Sequence, residues 1–291
     1  MKKKIIFTLM LLACLVINGI SYADQSVIAE KIDLPPVIDG NADEPLWEKP
    51  QAIVTHDNIT GIDITMKAAY TDKEIFFLVT FPDPDESRKH KYWVWDKHEE
   101  MYKVGMLRED TFIFKWNMEA YPVDLSVYSD ESYMADIWFW KANRTDPVGF
   151  ADDKMQKLGK TKRSKSIEVT TKTGNIMYLE RLGDSGTTAY KDVLFIEYEG
   201  DEIPNYENRT PSGSRADIKA KGIWSDGRWT MEFSRFLNTG NPDDIQFVPG
   251  KSYQFGVSSQ EMAARQHDPE LSQPFYGAGD VGEMLTLEWG E

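Results

Sequence analysis

The residues of this chain that could do chemistry are few and scattered. Four histidines, His56, His90, His98 and His267, lie far apart, and no GxSxG elbow, HExxH helix, phosphate loop or dinucleotide fingerprint accompanies them. Hydrolase or transferase chemistry of its own is therefore not expected. Two acidic groups, Asp83 with Asp85 and Glu86, and Asp152 with Asp153, could offer the oxygen ligands that calcium takes, but neither has EF-hand spacing. Acidic turns on an acidic protein are ordinarily solvated. Nine Trp, 13 Tyr and 14 Phe are enough aromatics either to stack on sugars or to wall a slot for a planar cofactor such as haem. Haem iron would need axial ligands, and by type the candidates are Met106, Met118, Met134, Lys141, Lys221 and His267. For any one of these methionines or lysines, packing or solvated charge competes with that role.

Several of these side chains fall in one stretch, Tyr133 to Asp153, YMADIWFWKANRTDPVGFADD. Aromatic residues occupy both alternation phases of its extended part, with Trp138 and Trp140 in one phase, and a turn-rich, charged tail follows. A strand buried on both faces reads the same way, so core and site are both open. Around it, Ile62, Ile64, Met66, Ala68 and Tyr70 alternate with polar residues, and a Thr71–Glu74 turn leads into the run Ile75 to Phe81, which predicts a hairpin. Phe112, Phe114 and Trp116 share one face of a further strand. Lys154 to Lys165 reads as a basic solvated loop, and Val193 to Ile196 as a short apolar strand. In IWSDGRW (Ile223 to Trp229), Asp226-Gly227 is the preferred central pair of a tight hairpin. Trp47, after the Asp39-Gly40 turn, is placed to plug a sheet. Trp229, Met231 and Phe233 alternate, as do Tyr253, Phe255 and Val257. Many short strands with almost no helical periodicity predict an all-β chain, an antiparallel β-sandwich with long decorated loops.

The ends set further bounds. Lys2-Lys3-Lys4, an apolar run from Ile5 to Ile17 and the exit Ser21-Tyr22-Ala23 have the layout of a cleavable signal peptide, so residues 1–23 are expected to be removed and 24–291 to form a single domain in the periplasm. Leu11-Leu12-Ala13-Cys14 faintly resembles a lipoprotein box, but the apolar run continues past it, so lipid anchoring is the lesser expectation. Cys14 is the sole cysteine, and its loss excludes disulfides, thiolate metal sites and CxxCH haem attachment. The formal charge of −15 becomes about −18 once three leader lysines are gone, which disfavours nucleic-acid or anionic-membrane binding. No stable membrane span is expected.

ADIWFWKANRTDPVGFADD, KGIWSDGRWTMEFSRFLNTGNPDDIQF (Lys221 to Phe247) and GKSYQFGVSSQ (Gly250 to Gln260) together resemble the haem-binding domain shared by the gamma subunits of ethylbenzene and dimethylsulfide dehydrogenases and related periplasmic cytochromes. The resemblance runs from about Ile38 to Trp289, and WxWKA followed by GxWxDGRWxxEFxR is its specific part. VIDGNADEPLW, at the start, is similar to the first strand and turn of family-nine carbohydrate-binding modules. The resemblance implies an electron-transfer subunit. In that role a noncovalent b-type haem, held between a methionine and a lysine, relays electrons between the catalytic and iron–sulfur subunits of a molybdenum oxidoreductase and a soluble cytochrome.

Carried over to this sequence, the resemblance implies Met134 or Met118 for the methionine and Lys221, then Lys141, for the lysine, with His267 a third option. Trp138 and Trp140 would form a wall of the slot. Relatives similar around RTDPVGFADD often carry a CxxCH before WxWKA, whereas the loop Glu119 to Ser132 here is cysteine-free. Two other readings stay open. One is a module that binds carbohydrate or a cell-surface polymer, and the other is a haem-free structural partner subunit.

Overall fold

The computed structural model describes residues 25–57, 60–259, 281 and 283–290; the expected leader and His267 lie outside them. Strands β1 (Gln25–Lys31), β2 (Ile53–Asp57), β3 (Ile62–Tyr70) and β4 (Glu74–Pro82) open the chain. A decorating ribbon, β5 (Trp93–Asp96) and β6 (Met101–Val104), precedes β7 (Thr111–Asn117), β8 (Tyr133–Lys141) and β9 (Asp152–Gly159). Next come β10 (Ile167–Thr170), β11 (Ile176–Gly183) and the short β12 (Tyr190–Asp192), β13 (Glu202–Ile203) and β14 (Tyr206–Asn208). The last four are β15 (Lys219–Ser225), β16 (Arg228–Phe236), β17 (Tyr253–Ser258) and β18 (Leu285–Trp289).

One hydrogen-bonded path runs β10-β11-β9-β8-β7-β17-β18-β1-β3-β4-β16-β15, with β2 on β3. It folds over so that the two halves face each other, as the ring contacts across the interior show. Phe77 of β4 lies 4.8 Å from Phe114 of β7, and Phe233 of β16 lies 5.2 Å from the same ring. The expected sandwich is therefore present. Its pairings are antiparallel except at β1, which lies parallel to both β18 and β3 and joins the two halves.

The hairpins form where turn chemistry called for them. β3 pairs with β4, and β15 with β16 through Asp226 (φ 52°) and Gly227 (φ 74°), the left-handed pair that a tight turn matching strand twist requires. Trp47 is buried as a plug, its indole Nε1 donating to Glu232 Oε1 at 2.9 Å.

Strand β8 resolves the ambiguity of the opening stretch, because it is buried on both faces. Asp136, Trp138 and Trp140 point into the interior shared by the halves, whereas Ile137, Phe139 and Lys141 point to a second layer. That second layer is closed over by Val123, Leu125 and Val127 and by Val169, Met177 and Leu179 of β10 and β11. Burying one such large apolar side chain contributes on the order of 2–3 kcal/mol, so this strand anchors the molecule.

Two local expectations are corrected. Lys154 to Lys165 is not all loop, since β9 extends to Gly159 and pairs with both β8 and β11. Lys154 shares a face with Leu158 and Lys157 with Met155, and the Lys154 ammonium lies 5.9 Å from the Phe139 ring centroid, so charge at these positions did not mean solvent. Val193 to Ile196 is no strand: it leaves the β12–β14 ribbon, with Leu194 78% and Ile196 94% exposed.

Candidate functional site

The two motifs that carry the family resemblance meet at one carboxylate. Asp146, fully buried in the turn after β8, accepts from Trp140 Nε1 (3.0 Å) and from the Gly222 backbone N–H (2.7 Å) through Oδ1. Its Oδ2 takes Arg88 Nη1 at 2.8 Å and Lys221 Nζ at 3.2 Å. Trp140 meets Trp229 edge-on at 4.9 Å, and the Arg88 guanidinium lies over the Trp229 ring. Gly222 is required here, because a Cβ would come within 2.8 Å of the Trp140 ring. WxWKA and GxWxDGRW are thus the two halves of a structural knot.

On the outer face of β8 sits a cation-rich network. Lys141 Nζ pairs with Asp152, and Tyr190 Oη donates to the same carboxylate at 3.2 Å. Arg215 Nη1 reaches Asp152 Oδ1 at 3.3 Å, and Lys154 lies 3.8 Å away. Burial by itself would raise Asp152, but Lys141, Lys154 and Arg215 together hold its carboxyl well below the usual range. Burial pushes Lys141 down to about 8, against the attraction of Asp152. Next to it, Arg144 pairs with Glu109 and lies over the Tyr190 and Tyr206 rings. A cavity of about 210 Å³ opens here, with an apolar floor of Ile113, Ile137 and Phe139 and a rim that includes Lys141, Arg144 and Lys154.

The inner face carries the opposite charge balance. Asp136, Asp153 and Asp244 are buried, with one carboxylate oxygen from each lying within 4.8 Å of the others. Arg235, itself fully buried, donates from Nη1 to Asp136 at 2.6 Å and lies 5.0 Å from the Trp138 and Phe247 rings. Burial raises Asp153 well above the usual carboxylate range, and Asp136 and Asp244 raise it further.

The structure does not bring the expected haem ligands together. Met134 stands at the start of β8 and lines a depression with Lys157 and Arg163, while Lys141 ends the same strand, about 23 Å away at about 3.3 Å per residue. Lys221 is bonded to Asp146 beyond that far end, so the pair Met134 and Lys221 cannot share an iron in this fold. Met118 lines a third depression with Tyr121 and Gln254, and Met106 is 72% exposed. Trp138 and Trp140 wall no slot: they are wholly buried, and Trp138 packs 5.3 Å from Trp116 and 6.0 Å from Phe77. These residues do not fit a haem held by a methionine and a lysine.

The acidic groups also separate. Asp152 and Asp153, adjacent in sequence, point to opposite faces of β9, and Asp83 and Glu86 belong to a turn in which Glu86 pairs with Arg88 at 2.6 Å. Asp136, Asp244 and Arg235 were not singled out by sequence reasoning, yet a signal existed. Asp136 is in phase with Trp138 and Trp140, and Arg235 with Met231 and Phe233, so both are charges at core positions of apolar strands.

No helix among the described residues is long and apolar enough to cross a membrane. No curated protein matches the chain at a significant level. Among solved structures, a family-nine carbohydrate-binding module from Caldicellulosiruptor kristjanssonii in complex with glucose is similar at 9% identity, covering 90% of this chain and 94% of that one, with a TM-score of 0.39. The same organism's module in complex with cellotriose is similar at 11% identity over 92% of this chain and 95% of that one, with a TM-score of 0.37. The sequence model described as ethylbenzene dehydrogenase matches residues 40–268, and with that span matched the chain belongs to the ethylbenzene dehydrogenase family.

Proposed function

We propose that this chain is a non-catalytic, gamma-type accessory subunit that docks onto a larger oxidoreductase of the ethylbenzene dehydrogenase type without holding a haem of its own. The observation that carries the docking role is the small sheet β13-β5-β6, which stands outside the sandwich. It and the segment after it present Val94 (43% exposed), Val104, Met106 and Leu107 to solvent, and the neighbouring loop adds Leu194 and Ile196. Exposed apolar side chains on both faces of one ribbon, Val104 on one and Val94 on the other, of an otherwise strongly acidic protein are what a protein–protein contact needs. The haem-free part follows from the separation of Met134 from Lys221 and from the bonding of both nominated lysines to buried aspartates. Stacking on sugar is the weaker reading, because the tryptophans of the two motifs that pack in the core, Trp138, Trp140 and Trp229, have no exposed face.

The test is affinity purification of the tagged chain from its native host, with a pyridine haemochrome assay on both the complex and the free chain. A large oxidoreductase should copurify with the wild type and be lost with Val104→Glu/Leu107→Glu, whose exposed positions leave the fold intact. The free chain should give no haemochrome signal. Stoichiometric haem on the free chain would restore the electron-transfer reading, and a partner captured equally by wild type and variant would remove the ribbon from the interface.

A further inference from the structure

Asp153 stands out among the polar side chains of the described residues. It is wholly buried on the inner face of β9, and neither of its carboxylate oxygens receives a hydrogen bond. The same holds for one oxygen of each carboxylate around it: Asp136 Oδ1, Asp244 Oδ1 and Asp184 Oδ2. The other oxygens of Asp136 and Asp244 are used to fix them in place. Asp136 Oδ2 accepts from Arg235 and from the Ile245 N–H at 3.0 Å, and Asp244 Oδ2 accepts from Thr239 Oγ1 at 2.5 Å. What is left over is a set of oxygens that converge on one another and to which no amide, hydroxyl or cation among the described residues donates, so that without an ion only a proton shared between carboxyls, as between Asp153 and Asp184, relieves them.

Buried carboxylates without donors are expensive, and three of them gathered together repel as well. Arg235 is the only cation bonded to Asp136, Asp153 or Asp244 among the described residues, and it serves Asp136 alone. With all three aspartates ionised the cluster keeps an excess of two negative charges, which a divalent cation would balance. The ligand atoms are all carboxylate oxygens, with no histidine or cysteine among them, which selects a hard cation over zinc. A buried set made of several carboxylates suits calcium, which takes six to eight oxygen ligands in flexible geometry, better than magnesium, which usually keeps several of its waters and binds through one or two carboxylates.

The placement has a structural logic too. Asp136 and Asp153 are diagonal neighbours on the paired strands β8 and β9, so their side chains share a face. Asp244 comes from the connection between β16 and β17, in which Asn241 Nδ2 donates to Asp217 at 2.6 Å and Asp243 accepts from Ser214 Oγ at 3.2 Å. Asp184 and Asp217, less deeply buried than Asp153, lie beside the cluster and add to its negative charge.

We propose that Asp136, Asp153 and Asp244 hold one calcium ion, with Asp184 as a further oxygen donor, and that the ion ties the connection between β16 and β17 to the β8–β9 pair. The site is separate from the docking ribbon and does not depend on any role for it.

The test uses the full chain stripped with EGTA, and terbium(III) as a luminescent probe of calcium's size. Trp138 pairs directly with Asp153 across β8 and β9, close enough to sensitise a bound lanthanide. Exciting tryptophan should give terbium emission that saturates at one equivalent and falls as calcium is added. Calcium should raise the melting midpoint of the stripped chain by several degrees, and magnesium by less. Elemental analysis of the untreated chain should find one calcium per molecule. Asp153→Asn should abolish both the emission and the calcium-dependent shift, while the stripped variant melts no lower than the stripped wild type, because a neutral amide relieves the uncompensated charge. Should that variant fail to fold, Asp244→Asn reads the same quantities. No calcium in the untreated chain together with no terbium emission and no calcium-dependent shift would overturn the proposal, as would emission that persists in both variants.

Discussion

Asp152 and Asp153 are neighbours in the chain and chemically identical, yet they live in opposite electrostatic worlds. Asp152 faces outward from β9 into Lys141, Lys154 and Arg215 and is held charged. Asp153 faces inward, into Asp136, Asp244 and Asp184, with the guanidinium of Arg235 bonded to one of them, and its carboxyl is pushed up. The peptide alternation of a strand buried on both faces produces this contrast, because each successive side chain enters a different layer. Charge balance in a protein interior is therefore set per layer and not per segment. The outer layer has more cation than its carboxylates need, whereas the inner layer has too little.

The largest effect that could break this comparison is removal of the inner cation. In EGTA, Arg235→Met keeps volume but leaves Asp136 unpaired in the core, and should lower unfolding free energy by about 3–5 kcal/mol in urea denaturation. Lys141→Met, the matching change on the outer face, should cost less, about 2–3 kcal/mol, because Arg215 and Lys154 still attend Asp152. Equal losses would mean that the two layers are not balanced differently.

The outer layer's excess of positive charge should also appear as acid sensitivity at His90. Burial, with Arg144, Lys91, Arg108 and Lys141 nearby, pushes this histidine down to about 2, although Glu109 lies 3.2 Å from its Nδ1. A histidine depressed by folding stabilises the fold above its ordinary value of 6.5 and loses that contribution as pH falls, since only the unfolded chain takes up the proton. Between pH 6.5 and 5.5 the wild type should lose about 1 kcal/mol through this group, and His90→Asn should flatten that part of the profile in denaturation measured across pH.

The smallest effect is expected at the knot of the two motifs. Lys221 is a third exposed, and Asp146 keeps Arg88, Trp140 and Gly222 as donors when it is removed. Lys221→Ala should cost about 1 kcal/mol or less, read as a shift in the urea midpoint. A much larger loss would show that Lys221, and not Asp146, organises the knot.

Much of the architecture was legible in the chain, for reasons that are local. Alternation in Ile62–Tyr70, the Asp226-Gly227 turn and the two-phase aromatic run Ile137–Trp140 each specify a strand or a turn through nearest-neighbour geometry. The expected β-sandwich followed from them. The errors came where a segment's neighbours decide. Lys154 is in a paired strand because β8 and β11 flank it, while Leu194 and Ile196 are exposed because no strand ladder continues past the single Val193–Asn205 bond.

The candidate sites divide in the same way. Sequence by itself determined the family through WxWKA and GxWxDGRW, and it determined which residue types were on offer: methionines, lysines and clustered aspartates. Only the tertiary structure decided which of them meet. Met134 and Lys221 are kept apart by the length of β8, a distance that no motif spacing reveals. Asp136, Asp153 and Asp244, more than a hundred residues apart at their extremes, converge because two paired strands and a returning connection bring them to one face. Proximity in a sandwich is set by strand register and layer, and both are properties of the whole sheet.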